Sequence, residues 1–298
     1  MTTDKLLILG TGALGTLFGA RLAAAGVEVT MLGAWPEGLA ALREYGARLA
    51  GQSVGARVRA TDRPEDCRGA TQALVLVKAW KTVRAAEYLA DCLAPGGLVL
   101  TLQNGLGNRE SLAARLGPAR VALGVTTVGA SLLEPGVAQP GGNGTITLEE
   151  HPQLGRLESM LRSAGFEVHS VADAAALVWG KLVVNAAINP LTALLRLSNG
   201  QLLENLEAHA LMGELARETA GVARALGVIL PFPDPGQAAE DVARKTAGNR
   251  SSMLQDVLRG VPTEIDAING AVVRLGEQAG VPTPLNRLVW RLVNSLKN

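Results

Sequence analysis

The chain has 298 residues, enough for two domains, with 48% hydrophobic and 18% charged residues, a globular rather than disordered composition. Twenty-eight basic against 27 acidic residues give a net charge of +1, and aromatics are only 3%, so neither a basic field nor a base-stacking surface for nucleic acid is present. The longest uncharged run, from Cys92 to Asn108, carries Pro95, several glycines, Gln103 and Asn104 and does not read as a membrane span.

In chain order, Lys5 to Leu9 reads as a short apolar strand that runs into Gly10-Thr11-Gly12-Ala13-Leu14-Gly15. A helix is predicted from Leu14 to Ala25, stopped by Gly26, and a second strand from Glu28 to Leu32. A GxGxxG between a strand and a helix has a physical reading. Gly10 permits a tight turn, Gly12 lets the backbone approach a pyrophosphate, and Gly15 lets helix and strand close on each other. The helix N-terminus offers unpaired N–H groups to the phosphates. Ala73 to Val77 is a continuous apolar strand, as expected for one buried on both faces. Ala79 to Leu93 reads as a helix, Leu98 to Leu102 as a strand, the stretch after Gln103-Asn104-Gly105 as a helix to about Leu116, and Val121 to Val125 as a strand. This alternation predicts an α/β fold with a Rossmann-type doubly wound sheet, in which ligands bind beyond the carboxyl ends of the strands. Lys78 and Asn104 both stand at such ends.

Pro135 to Gly144 reads as a long loop; a strand near Thr145 to Leu148, a helix from Leu154 to Ala164 and a strand from Glu167 to Val171 complete the first domain, 1–171. Residues 172–298 read as an all-α second domain. The segment from Ala174 to Leu195 is apolar nearly all round and should be buried, yet Lys181, Asn185 and Asn189 recur at i, i+4, i+8 on one face. Burying such polar groups without partners costs about 2–7 kcal/mol each by transfer estimates, so the stripe should face a cleft. Pro262 to Asp266 is expected to open another helix, with Thr263 and Asp266 as a loose capping box. Cys67 and Cys92 make no metal-type pair and are expected to be reduced thiols; His151, His169 and His209 are scattered, and no metal site is expected.

Along essentially its whole length the chain resembles the ketopantoate reductase (2-dehydropantoate 2-reductase) family. The resemblance rests on Gly10–Gly15 (GTGALG), Val77–Trp80 (VKAW), Gln103–Gly105 (QNG), Trp179–Pro190 (WGKLVVNAAINP), Asn199-Gly200, Asn249–Asp256 (NRSSMLQD) and Thr263–Gly270 (TEIDAING). It implies a cytoplasmic NADP-dependent oxidoreductase of pantothenate and coenzyme A biosynthesis that reduces 2-dehydropantoate to (R)-pantoate in a cleft between the domains. The implied catalytic residues are Lys181, Glu264 and Asn185, and the implied substrate contacts are Asn104, Asn189, Asn199 and Ser252. The implied cofactor contacts are Gly10, Thr11, Gly12, Ala13, Leu14, Gly15 and Lys78, with Asn104 and Glu264.

Chemistry fits these residue types. Hydride arriving at a ketone carbon leaves charge on oxygen, which a cationic lysine can stabilise and protonate. Two positions depart from the family pattern. Ala34 stands where NADPH-preferring members place an arginine after the second strand, so NADH stays open beside NADPH, with Arg43 or another basic side chain as the candidate substitute cation; Lys81 stands where some members carry glutamine. The partners expected are a small 2-keto acid, no nucleic acid and no membrane, in a monomer or homodimer. A paralogue reducing another branched 2-keto acid, and a non-catalytic dinucleotide sensor, are the alternatives.

Overall fold

A computed structural model of the chain describes residues 5–296. It divides into two units. The first is the chain up to Gln103 together with Asn108–Ala174; the second is Asn104–Gly107 together with the chain from Ala175 onward.

The first unit contains, in order, β1 (Lys5–Leu9), α1 (Ala13–Ala24), β2 (Glu28–Leu32), α2 (Pro36–Tyr45), β3 (Arg48–Leu49), β4 (Arg59–Thr61), β5 (Ala70–Val75), α3 (Thr82–Cys92), β6 (Leu93–Thr101), α4 (Asn108–Leu116), β7 (Val121–Thr126), β8 (Ala130–Glu134), β9 (Val137–Pro140), β10 (Thr145–Glu149), α5 (Gly155–Ser163) and β11 (Glu167–Val171). One sheet runs β11-β10-β7-β6-β5-β1-β2-β4, all neighbours parallel except β10 and β7. From β4 to β7 this is the doubly wound order, whose direction of winding reverses between β1 and β5. The alternation of side chains along a strand explains the unbroken apolar run of β1. Leu6 and Ile8 join Phe18 and Leu22 in one core, while Leu7 and Leu9 join Ala73, Val75 and Leu89 in another.

Several boundaries differ from the sequence expectation. β5 begins at Ala70 and ends at Val75, and beyond its end the Val77 carbonyl accepts from a side chain, Gln103 Nε2 at 2.9 Å. The expected helix from Ala79 opens with a 3-10 turn, Ala79–Lys81, and α3 gives way at Leu93 to β6. The expected long loop from Pro135 to Gly144 is instead partly a hairpin: β8 and β9 pair antiparallel, and Gly136 (φ 74°) makes the turn. Val137 and Ala138 are buried, and β9 is the middle strand of a small sheet, β3-β9-β8. Three residues between glycine and proline punctuation were enough for a strand, which composition alone reads as loop.

The second unit contains α6 (Ala175–Leu195), α7 (Gln201–Glu204), α8 (Leu206–Ala225), α9 (Pro235–Lys245), α10 (Ser252–Leu258), α11 (Asn269–Ala279) and α12 (Pro284–Ser295), with no strand among the described residues. α6 is its central element, packed by α8, α9, α10 and α12. By length and composition α6 is apolar enough to cross a membrane, but most of it is buried in this unit as a core helix.

Candidate active site

In the first unit the chemistry gathers at the carboxyl ends of β1, β5 and β6. Gly10 has φ +128°, and a Cβ there would lie 3.1 Å from the Leu76 backbone, while Leu76 N donates to Leu9 O at 2.9 Å. The glycine turn and the segment leading to Lys78 therefore lie side by side at the point where the winding reverses. A Cβ on Gly15 would sit 2.0 Å from the Gly10 carbonyl oxygen, so only glycine lets α1 approach this closely. Gly12 is different. A Cβ there meets no atom within 4 Å, and Gly12 is the N-cap of α1 with no side-chain cap. Open space directly before an uncapped helix N-terminus is the cradle a dinucleotide pyrophosphate needs, so these residues fit the cofactor. Thr11 is buried, and its side chain closes on Gly33 at the end of β2. Ala13 and Leu14 are half-buried in the first turn, Leu14 against the core. Lys78 is half-buried just beyond β5.

In dinucleotide-binding folds the ribose 2′ substituent is met at the end of the second strand, here β2. Gly33 N donates to Thr61 O at 3.0 Å, and Ala34 is exposed. Arg43 reaches this strand end from α2, donating to Ala60 O at 2.8 Å and pairing with Asp62 at 3.2 Å. Arg63, next along, pairs with Glu65 and Asp66 at 3.1 and 3.5 Å. Each guanidinium here already faces a carboxylate. Lys81 turns its amine over the Trp80 ring, 4.8 Å from the centroid.

The second unit brings together side chains far apart in sequence. Lys181, Asn185 and Asn189 follow one face of α6, the first two half-buried and Asn189 buried. Burial pushes the Lys181 ammonium from its ordinary 10.5 down to about 8, and the Glu264 carboxylate opposes that shift. Glu264 is only 6% exposed and accepts a long hydrogen bond, 3.5 Å, from Asn104 Nδ2. Gly105 holds the Asn104 loop in place: it has φ +81°, a Cβ would lie 2.4 Å from Ala267 O, and Leu106 N donates to that same carbonyl at 2.9 Å. A half-buried cation, a buried carboxylate and three carboxamides thus lie on three chain segments of one unit.

The helix expected to open over Pro262 to Asp266 does not begin there. Residues 264–268 form a turn, with Ala267 N and Ile268 N both donating to Glu264 O, and α11 starts only at Asn269. Thr263 and Asp266 therefore stand before the helix rather than capping it, the N-cap of α11 being Ile268. Asp266 Oδ1 accepts from Trp290 Nε1 at 2.6 Å and Asn294 Nδ2 at 3.2 Å, both on α12. A competing side-chain staple on a distant helix is invisible to local spacing.

The remaining expected substrate contacts are placed differently. Asn199 is buried and donates to Thr246 Oγ1 at 2.8 Å, while its backbone N–H donates to Asn249 O at 3.0 Å. These bonds tie the Asn199 segment to the one before α10. Ser252 is exposed at the first position of α10, whereas its neighbour Ser251 is buried and caps that helix through Leu254 N at 3.0 Å.

Sequence reasoning missed two kinds of supporting residue. Gln103 bonds Val77 O, Thr82 Oγ1 and Thr101 Oγ1 at 2.9–3.0 Å and so fastens the ends of β5 and β6 to the start of α3. Asn269 and Asn286, both fully buried, link α11, α12 and α6. For the two asparagines, a polar residue on the apolar face of a helix is the signal that could have flagged them.

A family model described as "Ketopantoate reductase PanE/ApbA" matches residues 6–153, and its C-terminal partner, "Ketopantoate reductase PanE/ApbA C terminal", matches residues 159–297. The chain belongs to the ketopantoate reductase family. It is 37% identical to the 2-dehydropantoate 2-reductase of Archaeoglobus fulgidus, over 100% of this chain and 99% of that one. Among solved structures it is similar to the PanE/ApbA family ketopantoate reductase of Ralstonia eutropha JMP134, with a TM-score of 0.91, 35% identity and 98% of each chain covered. It is also similar to a D-mandelate dehydrogenase solved with NADH and anilino(oxo)acetate, with a TM-score of 0.91, 26% identity and 98% of each chain covered.

Proposed function

We propose that the chain is a 2-dehydropantoate 2-reductase that uses NADPH to make (R)-pantoate. The observation that carries the reading is the half-buried Lys181 with its pKa lowered beside the buried Glu264 in one unit, occurring in the same chain as the glycine cradle of the other, in a member of this family. The cofactor would be held by Gly10–Gly15 and Lys78, and when bound it supplies the hydride.

Lys181 does the proton work. Near pH 7 its amine is mostly protonated, and a pKa of about 8 makes it a better donor than an exposed lysine near 10.5. The ammonium stabilises the charge that grows on the carbonyl oxygen and passes its proton to that oxygen. Glu264 keeps the ammonium charged against the cost of burial and accepts a hydrogen bond from a substrate hydroxyl. Asn185, one turn beyond Lys181, orients the carbonyl. Asn104, Asn189, Asn199 and Ser252 are assigned to the substrate, and Asn104 and Glu264 also to the cofactor side of the site.

A second reading is favoured by the open Ala34 and by the carboxylate partners of Arg43 and Arg63. It is a reductase that takes NADH and a different 2-keto acid, in line with the D-mandelate dehydrogenase neighbour and its NADH. Initial rates with 2-dehydropantoate and a panel of branched and aryl 2-keto acids, each with NADPH and with NADH, separate the two. The first reading expects the highest kcat/KM for 2-dehydropantoate with NADPH. A higher value for NADH, or for an aryl keto acid, overturns it in favour of the second.

A further inference from the structure

α6 contains a proline, Pro190, in its fifth turn. A proline has no N–H, so the carbonyl four residues earlier, at Ala186, loses its helical donor. Ala186 is fully buried, where water cannot replace that donor. The donor is supplied from another helix: Asn269 Nδ2 lies 2.9 Å from Ala186 O. The second N–H of the same carboxamide donates to Asn286 Oδ1 at 2.9 Å. Asn286 is in turn fixed by Glu218, whose carboxylate accepts from Asn286 N, Asn286 Nδ2 and Leu285 N at 2.8–3.0 Å. The Asn269 carboxamide is therefore held on one side by α12 and α8 while it grips α6 on the other.

The two ends of this grip matter. Ala186 follows Asn185 directly and lies little more than one turn beyond Lys181. Asn269 lies five residues after Glu264, directly behind the turn that carries it, and that turn is pinned by Gly270 N donating to Ile265 O at 2.9 Å. One hydrogen bond thus joins the Lys181–Asn185 turn of α6 to the segment presenting Glu264.

We propose that Asn269 is a positioning residue for proton transfer, which sets Lys181 against Glu264 by donating to the Ala186 carbonyl that Pro190 leaves without a helical partner. The inference rests on Lys181 being the proton donor. It assigns Pro190 a purpose: the proline keeps that carbonyl available to a side chain from outside the helix.

The test compares Asn269→Ala, Pro190→Ala and the double variant, reading kcat, KM, the basic limb of the kcat–pH profile and the melting temperature. Asn269→Ala is expected to lower kcat about tenfold with KM for cofactor within twofold, and to move the limb to lower pH as Glu264 ceases to support the ammonium. Pro190→Ala gives Ala186 a competing donor in its own helix and should move the limb the same way by less, in a protein that still folds. In the double variant the helix satisfies itself, so the melting temperature should recover while kcat and the limb do not. Recovery of activity together with melting temperature would make Asn269 a purely structural residue and overturn the inference. So would an unmoved limb in both single variants. Retained turnover in Lys181→Ala would instead overturn the proton-donor reading on which the inference stands.

Discussion

The two units build their chemistry in opposite ways. The nucleotide cradle of the first is made from one short segment: Gly10, Gly12 and Gly15 act through their backbones, with Leu32, Gly33 and Leu76 at the neighbouring strand ends packed against it. The Lys181 site of the second is assembled from α6, the turn before α11 and a four-residue loop that lies in sequence inside the first unit. A contiguous site is specified by local geometry and should fail locally. An assembled site depends on every contact that registers its parts, and should be sensitive to changes at a distance.

The largest expected effect is at Lys181. Replacing it by alanine should cut kcat by about 10²–10⁴, the usual worth of a general acid, while cofactor affinity in a binding titration stays within twofold. A variant that kept a tenth of its turnover would remove the lysine from the mechanism. Next come the glycines, where the cradle divides cleanly. Gly15→Ala places a methyl group against the Gly10 carbonyl and should destabilise the first unit by about 1–3 kcal/mol by overpacking, read as a lower melting temperature. Gly12→Ala adds its methyl to open space, so the melting temperature should hold while nucleotide affinity drops at least tenfold. If both variants lost stability equally, the open cradle would be the wrong description.

The assembled site makes a prediction in pH. Lys181 must carry its proton to donate it, so kcat for reduction should be flat below about pH 8 and fall above it, whereas oxidation of the product should rise over the same range. Glu264→Gln should raise KM for the keto acid and shift that limb downward, because the carboxylate no longer supports the ammonium. The smallest effect is expected at Asp266. Asp266→Ala loses the Trp290 and Asn294 bonds, worth about 0.5–1.5 kcal/mol each, and should lower the melting temperature slightly with kcat unchanged. Two acids two residues apart would then separate cleanly into one for chemistry and one for packing.

This contrast also marks how much could be read in advance. The strand–glycine–helix unit was legible because its meaning lies within six residues, Gly10 to Gly15, and β1 and β2 fall where expected. The polar stripe of α6 was legible because helical periodicity alone places Lys181, Asn185 and Asn189 on one face. Pairing across the chain was not legible. Nothing near Asp266 announces Trp290, nothing near Pro190 announces Asn269, and the β8–β9 hairpin hides among turn residues. Each of these is decided by a partner that is distant or by a neighbouring strand, and local spacing carries no record of it.

The membership of Asn104–Gly107 has a consequence for anyone dissecting this protein. A fragment starting at Ala175 would contain every helix from α6 to α12 yet lack the loop whose Leu106 N–H satisfies Ala267 and whose Asn104 meets Glu264. Such a truncation would leave an incomplete body, and supplying the missing tetrapeptide in trans could not restore it easily, since a free peptide must give up all its own motion to dock. Gene-level recombination of the two halves is constrained in the same way: a chimaera cut near residue 175 inherits its 104–107 loop from the wrong parent.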